Sequence, residues 1–266
     1  MGMPASQDVA CLAKVLSDLR ARVEEYLGEP IQSAGVTTPH LVALYQEDLQ
    51  DAFEYVGLRY LKFPVRYDIL YETSAAFAGY GYDLCSDYTD RAACKKAQHD
   101  MDSDVVMAVL YTRTALTVAF SITKSAYYLY ESDNRHLSNF TLGYNARTQW
   151  ATEEDYWSEV EWSLEKLMKE NPYYKRPARV LLMGDCVHDA EFTRRLEQAL
   201  SRQMPDMPEI LSQDSQFVAA QGAAELAKRI SYDPYKSSIN HHECMSLVNE
   251  HTWATAINSC GVWATQ

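Results

Sequence analysis

Glycine is scarce in this chain, at 10 of 266 residues, against an average usage of about 7%. Loops that cradle phosphate need glycine, because the backbone must come close to the ligand and take positive φ. The composition therefore disfavours nucleotide chemistry before any motif is read. Clustered cationic residues are missing as well: the formal net charge is -13 and no basic stripe is present. That argues against a nucleic-acid backbone or an anionic membrane as partner. No apolar run is long enough to span a membrane, and no basic start followed by an apolar stretch marks a secretory signal. None of the six cysteines (Cys11, Cys85, Cys94, Cys186, Cys244 and Cys260) lies in a CxxC pair. Reduced thiols in a cytoplasmic protein are the expectation, although Cys85 and Cys94 flank a polar loop at a spacing that leaves a bridge open.

What is present is globular. The chain is 47% hydrophobic and 23% charged, and it is rich in tyrosine, with 19. Its length fits one large domain or two intimate lobes. The start, "MGMPAS", fits the pattern for acylation of Gly2 with Ser6 in place, but one acyl chain anchors weakly and no polybasic second signal is present.

Apolar residues at Val9, Leu12, Ala13, Leu16, Leu19 and Val23 recur at intervals of three and four, which predicts a helix over residues 8–27 closed by Gly28 and Pro30. A second helical pattern covers residues 40–56. "VRYDILY" reads as a strand and "ETSAAFAGYGYD" as a helix of small residues packed closely against something. Residues 84–104 read as a polar, irregular excursion. Strand-like runs come next at residues 105–110, 115–123 and 126–130. Thr152 is placed to cap a helix with an acidic first turn. "ARVLLMG" reads as a buried strand, and "DAEFTRRLEQALSRQM" and "DSQFVAAQGAAELAKRI" as helices, the latter capped by Asp214. The tail beyond residue 230, with Trp253 and Trp263, is expected to pack back on the body. Strands alternating with helices in the second half imply an α/β layered fold.

No phosphate-binding, dinucleotide-binding or hydrolase-elbow glycine motif occurs. "DMDSD" starts like a calcium loop, but Val105 and Tyr111 stand where that loop needs Gly and Glu. His241, His242 and Cys244 sit close together, yet no second ligand pair is spaced to complete a zinc tetrahedron. In "GDCVHDAEF", Asp185, Cys186 and His188 occupy the turn after a buried strand, where open α/β sheets bind ligands. Cys with His can make a nucleophile only with a lowered thiol pKa and a positioned base. A plain strand-to-helix turn with Asp189 as the cap is the simpler reading.

Four segments, in order, resemble the nucleotide-binding domain of the Hsp70 chaperones. "VTTPHLVALYQEDLQDAFEYVGL" is similar to the family's V-T-V-P-A-x-F strand and the helix after it. "ILYETSAAFAGYG" is similar to its connecting motif I-I-N-E-P-T-A-A-A-L-A-Y-G, keeping Glu72, Ala75, Ala76, Tyr80 and Gly81. "RVLLMGDC" resembles its adenosine strand, and "FVAAQGAAELA" its closing helix. The resemblance implies a truncated actin-like ATPase fold with mixed sheets flanked by helices. It places a first lobe at residues 1–100 and a second at 101–266.

Within that resemblance, the hairpin turn falls on the second phosphate loop, D-L-G-G-G-T. Leu110 and Thr114 match, whereas Val109 replaces the acidic residue and Tyr111, Thr112 and Arg113 replace the glycines. The first phosphate hairpin is missing, there is no room for the subdomain that clamps adenine, and Gly184, Asp185 and Cys186 stand where the family has Gly, Gly and Ser. The likeness therefore argues against ATPase activity. Truncated, degenerate Hsp70-like proteins of this kind occur in filamentous fungi, and they resemble the natural-product cyclases of secondary metabolism, among them the norbornene-forming Diels-Alderases of sordarin-type terpenoid biosynthesis.

The resemblance implies two possible functions. One is a cofactor-free cyclase or pericyclase acting on an apolar small molecule, with no metal. Such a reaction needs only a substrate held near its reactive conformation and a donor that polarises its electron-poor partner. Arg113, Tyr111 and Tyr71 are then the expected catalytic donors or walls, and Glu72, Thr112, Thr114, Asp185, Cys186 and His188 the substrate-binding residues. The other is a pseudo-ATPase serving as an interaction or regulatory module. The first predicts an open apolar cavity, the second a plugged cleft.

Overall fold

The computed structural model describes residues 4, 6–41, 44–63, 69–126, 128–169, 176–230 and 262–264. The N-terminal periodicity forms α1, Gln7–Leu27, with the Ser6 hydroxyl accepting from the Val9 amide at 3.1 Å and Gly28 closing it in the left-handed region. The next helix, α2, Gln46–Tyr55, is shorter than the pattern from His40 implied. His40 is instead buried, and its Nε2 lies 3.0 Å from the Thr73 hydroxyl. The helices pack Val9, Ala13, Leu16, Leu49, Ala52 and Phe53 against β1, Ser33–Thr38. This strand lies in a small parallel sheet with β2, Arg59–Tyr60, and β3, Leu70–Tyr71. Residues 64–68 of the expected strand lie outside the described residues.

Immediately after β3 comes α3, Glu72–Gly79, buried along almost its whole length. The excursion expected to be irregular contains α4, Arg91–Asp100, capped by the Asp90 carboxylate on the Ala92 and Ala93 amides. Its start is tied back by a disulfide between Cys85 and Cys94, whose Cα atoms lie 5.1 Å apart, well within bridging range. That pair departs from the reduced state expected of the cysteines, while Cys11 and Cys186 are free thiols.

The larger sheet begins with β4, Asp104–Tyr111, β5, Leu116–Ser125, and β6, Tyr128–Asn139, which form an antiparallel meander. Helix α5, Glu153–Lys169, opens with the Thr152 hydroxyl accepting from the Asp155 amide. Next come β7, Arg179–Met183, α6, Ala190–Gln203, β8, Glu209–Leu211, and α7, Val218–Ile230. The strand order is β6-β5-β4-β7-β8, with β7 parallel to β4 and β8 parallel to β7. The sheet is thus mixed, with helices on both faces.

Alternation along β4 sorts the two faces. Val105, Met107, Val109 and Tyr111 join Tyr156, Val160, Phe192 and Leu196 of α5 and α6, whereas Val106 and Ala108 join Ala75 and Phe77 of α3 and Val218 and Ala223 of α7. Between α5 and α6 the side chain of Arg195, only 7% exposed, binds Glu154 at 2.6 Å, Glu161 at 3.1 Å and Glu191 at 2.8 Å. Helices α3 and α7 cross backbone on backbone: a Cβ at Gly222 would lie 1.6 Å from the Ala75 carbonyl oxygen, and one at Gly79 2.1 Å from that of Val218. No residue with a side chain fits at either place.

Near the C-terminus, β9, Val262–Ala264, pairs in parallel with β1 at Gly35–Thr37. Together with α3, which belongs to the large sheet's core, this means that packing does not divide at residue 100. Among the described elements the chain crosses between the sheets twice. His241, His242, Cys244 and Trp253 lie outside the described residues, as does Gly2.

Candidate functional site

The hairpin turn that lacks glycine closes without it. No residue from Thr112 to Thr114 takes positive φ; among the described residues other than glycine only Asp83 and Asp214 do. The Thr112 amide donates to the Ala115 carbonyl at 3.0 Å, and the Thr112 hydroxyl accepts from the amides of Thr114 at 3.2 Å and Ala115 at 3.1 Å. The carbonyls of Thr112 and Arg113 accept from the Tyr144 and Asn145 amides, both at 3.0 Å. Two amides of the turn, those of Thr114 and Ala115, are thus taken up by its own threonine.

Beside this turn, at the carboxyl ends of β4 and β7, lies a cavity of about 220 Å³. Leu110, Met183 and Ala219 supply apolar wall; Thr112, Thr114, Ser215 and Gln216 supply polar rim; Glu72 enters from the start of α3, with Arg113 and Asp185 also on the lining. The Arg113 guanidinium and the Asp185 carboxylate form an ion pair at 3.0 Å. Gly184 makes the close approach possible. At φ +104 its amide donates to the Ser215 carbonyl at 3.0 Å, and a Cβ there would meet the Tyr111 carbonyl oxygen at 2.2 Å.

Glu72 is 3% exposed, and its Oε2 has no hydrogen-bond partner among the described residues. Burial raises its pKa to about 8, so near neutral pH it is mainly a carboxylic acid.

Of the residues expected here from sequence, Glu72, Thr112, Arg113, Thr114 and Asp185 line one cavity. Tyr111 does not. It is fully buried on the opposite face of the sheet, its ring stacked on Phe192 at 4.2 Å and its hydroxyl 2.9 Å from that of Tyr156, which donates to the Leu142 carbonyl at 2.9 Å. Burial pushes the Tyr111 pKa up, with the Tyr156 hydrogen bond adding to it. Adjacent strand residues point to opposite faces, so Leu110 and Tyr111 cannot both face the cavity.

Tyr71 is half-buried and stacks on His40 with centroids 4.2 Å apart, away from the cavity lining. The Cys186 thiol is pushed up to about 12, first by burial and then by Asp185, whose Oδ1 accepts from it at 3.4 Å. It is a thiol at neutral pH. His188 does not serve Cys186 as a base; its Nε2 lies 3.2 Å from the Ser215 hydroxyl, which donates to the Gly184 carbonyl at 3.1 Å. Asp189 caps α6 through the Glu191 and Phe192 amides.

Ser215, Gln216, Met183 and Ala219 were missed by sequence reasoning. Their signal was positional: β4, β7 and β8 run parallel, so the loops leaving their carboxyl ends gather at one edge of the sheet.

Among the described residues, no group of three or more His, Cys, Asp or Glu is arranged to hold a metal ion, and no helix is long and apolar enough to cross a membrane. No protein-family model matches the chain, and no curated protein matches it.

Proposed function

We propose that this chain is a degenerate, truncated member of the actin-like ATPase fold, of the Hsp70 nucleotide-binding type, whose former nucleotide cleft has become a cofactor-independent small-molecule site. Its reaction is a cyclisation of the pericyclic [4+2] class on an apolar, terpenoid-type substrate. The observation that carries this reading is the cavity at the carboxyl ends of β4 and β7. It has apolar walls and a hydroxyl-bearing rim, and the adjoining turn is closed by Thr112, whose hydroxyl accepts from the Thr114 and Ala115 amides. A site of mostly apolar surface with a few convergent polar groups suits a small organic ligand. A pericyclic step needs no nucleophile, only orientation and a polarising donor.

Thermal shift and native mass spectrometry with ATP, with ADP and with an apolar extract of the producing organism test the reading. Stabilisation by the extract alone, with a bound mass that is converted to an isomer, is expected. Stabilisation by ATP overturns it, and silence from all three favours an interaction module. Arg113→Ala is expected to slow turnover by about tenfold while changing stability by less than about 1 kcal/mol, because its side chain is 70% exposed. Unchanged turnover removes Arg113 from the site.

A further inference from the structure

Most polar groups on the cavity wall are accounted for by neighbours. Asp185 has Arg113 at 3.0 Å. Ser215 is bonded to Gly184 and His188, and Thr112 to its own loop. Glu72 differs. A buried oxygen without a partner costs about 1–3 kcal/mol; Glu72 lines the cavity, and its Oε2, unpartnered among the described residues, is closed off from solvent.

We propose that Glu72 is a hydrogen-bond donor of this cavity, and that the ligand it takes is an uncharged carbonyl compound, its carbonyl oxygen on the carboxyl and its apolar end against Leu110, Met183 and Ala219. The proposal rests on reading the cavity as a ligand site. Three features select this chemistry. Arg113 and Asp185 on the lining cancel, so the described lining offers no unpaired cation to a carboxylate or phosphate. Burial of Glu72 disfavours its ionised form, so an ammonium ligand would first have to draw the proton off. The volume, about 220 Å³, exceeds the roughly 150 Å³ that accommodates benzene in an apolar cavity, which is room for a six-membered ring with a carbonyl. In the proposed cyclisation the proton stays on Glu72. The hydrogen bond draws electron density from the carbonyl and from the alkene conjugated to it, and no atom is transferred between enzyme and substrate.

Ionisable groups on the elements around Glu72 include Arg113 and Asp185 on the cavity lining, His188 behind Ser215, Tyr71 before Glu72 in the chain, and His40, bonded to Thr73. They also include Tyr80 at the end of α3, Asp214 before α7, Glu225, Lys228 and Arg229 on α7, and Lys124 on β5. Burial is the cause of the raised pKa.

The test uses the full chain and three probes of matched size: cyclohex-2-enone, benzoate and benzylamine. Binding is measured by ligand-observed NMR from about pH 6 to about pH 9.5, for wild type, Glu72→Gln and Glu72→Ala. The enone is expected to bind wild type, with affinity falling as pH rises past about 8. Glu72→Gln, which keeps a donor and cannot ionise, should bind it with a flat profile. Glu72→Ala should bind it about tenfold more weakly below that pH. If Glu72→Ala does not fold, the flat profile of Glu72→Gln decides alone. Preference for benzylamine or benzoate, no enone binding, or the wild-type pH profile in Glu72→Gln overturns the proposal. The two readings fail separately: enone binding through Glu72 without any turnover refutes the cyclase alone, and turnover by Glu72→Ala at the wild-type kcat/KM refutes the donor alone.

Discussion

Replacing Glu72 by Gln isolates the energetic cost of keeping a carboxyl in this cavity. An unfolded glutamate ionises near pH 4.5, while the folded one holds its proton up to about pH 8. Between those values the folded state binds one more proton than the unfolded state, so stability falls as pH rises, by about 1.4 kcal/mol per unit. The sign is that of a group whose folded pKa is raised: its contribution is fully present below about pH 4.5 and lost as pH climbs to about 8. Integrated from pH 5 to pH 8, the loss is roughly 3–4 kcal/mol. Glutamine has nearly the same shape and does not titrate. Urea unfolding of both proteins at unit steps across that range is therefore expected to give curves that diverge, with Glu72→Gln more stable by that amount at pH 8 relative to pH 5. Other titrating groups, including Asp83, which burial raises to about 6, are common to both proteins and cancel in the difference. Parallel curves would show that the Glu72 carboxyl is solvated or paired in the folded protein, which refutes its desolvation.

Tyr111→Phe is expected to cost about 1 kcal/mol and to leave the cavity's ligand response unchanged, since the lost hydroxyl faces Tyr156 in the core; altered ligand response would return Tyr111 to the site. Gly222→Ala should cost more than about 4 kcal/mol or prevent folding, because its Cβ would collide with the Ala75 carbonyl at 1.6 Å; a urea midpoint close to wild type would refute the backbone contact. Reducing the Cys85–Cys94 bridge, which spans 9 residues, should cost about 2–3 kcal/mol, and Cys94→Ser should make urea unfolding indifferent to reductant.

Much of the architecture was legible because its signals are local. The period of α1, the Thr152 and Asp189 caps and the apolar run of β7 each announce an element within a few residues. Where local signals were weak the pattern misled. Residues 40–45 carry helical periodicity, but His40 is drawn into a buried contact with Thr73. Helix α4 has few apolar residues and rests on an Asp90 cap and a disulfide. At the site, five expected residues met in the cavity because they flank strand ends that the topology brings together. Tyr111 falls on the wrong face through strand alternation, and Ser215 was invisible because nothing local connects it to β7, 31 residues away through Gly184.

The contact between α3 and α7 has a consequence for selectivity. One of these helices delivers Glu72 and the other begins beside Ser215 and Gln216, so opposite jaws of the cavity are riveted together through main chain at Gly79 and Gly222. A gap set by side chains can breathe by rotamer changes, whereas one set by touching backbones keeps its gauge. The frame behaves as a fixed calliper: substitutions at Leu110, Met183 or Ala219 can re-tune what is gripped without altering how wide the jaws stand.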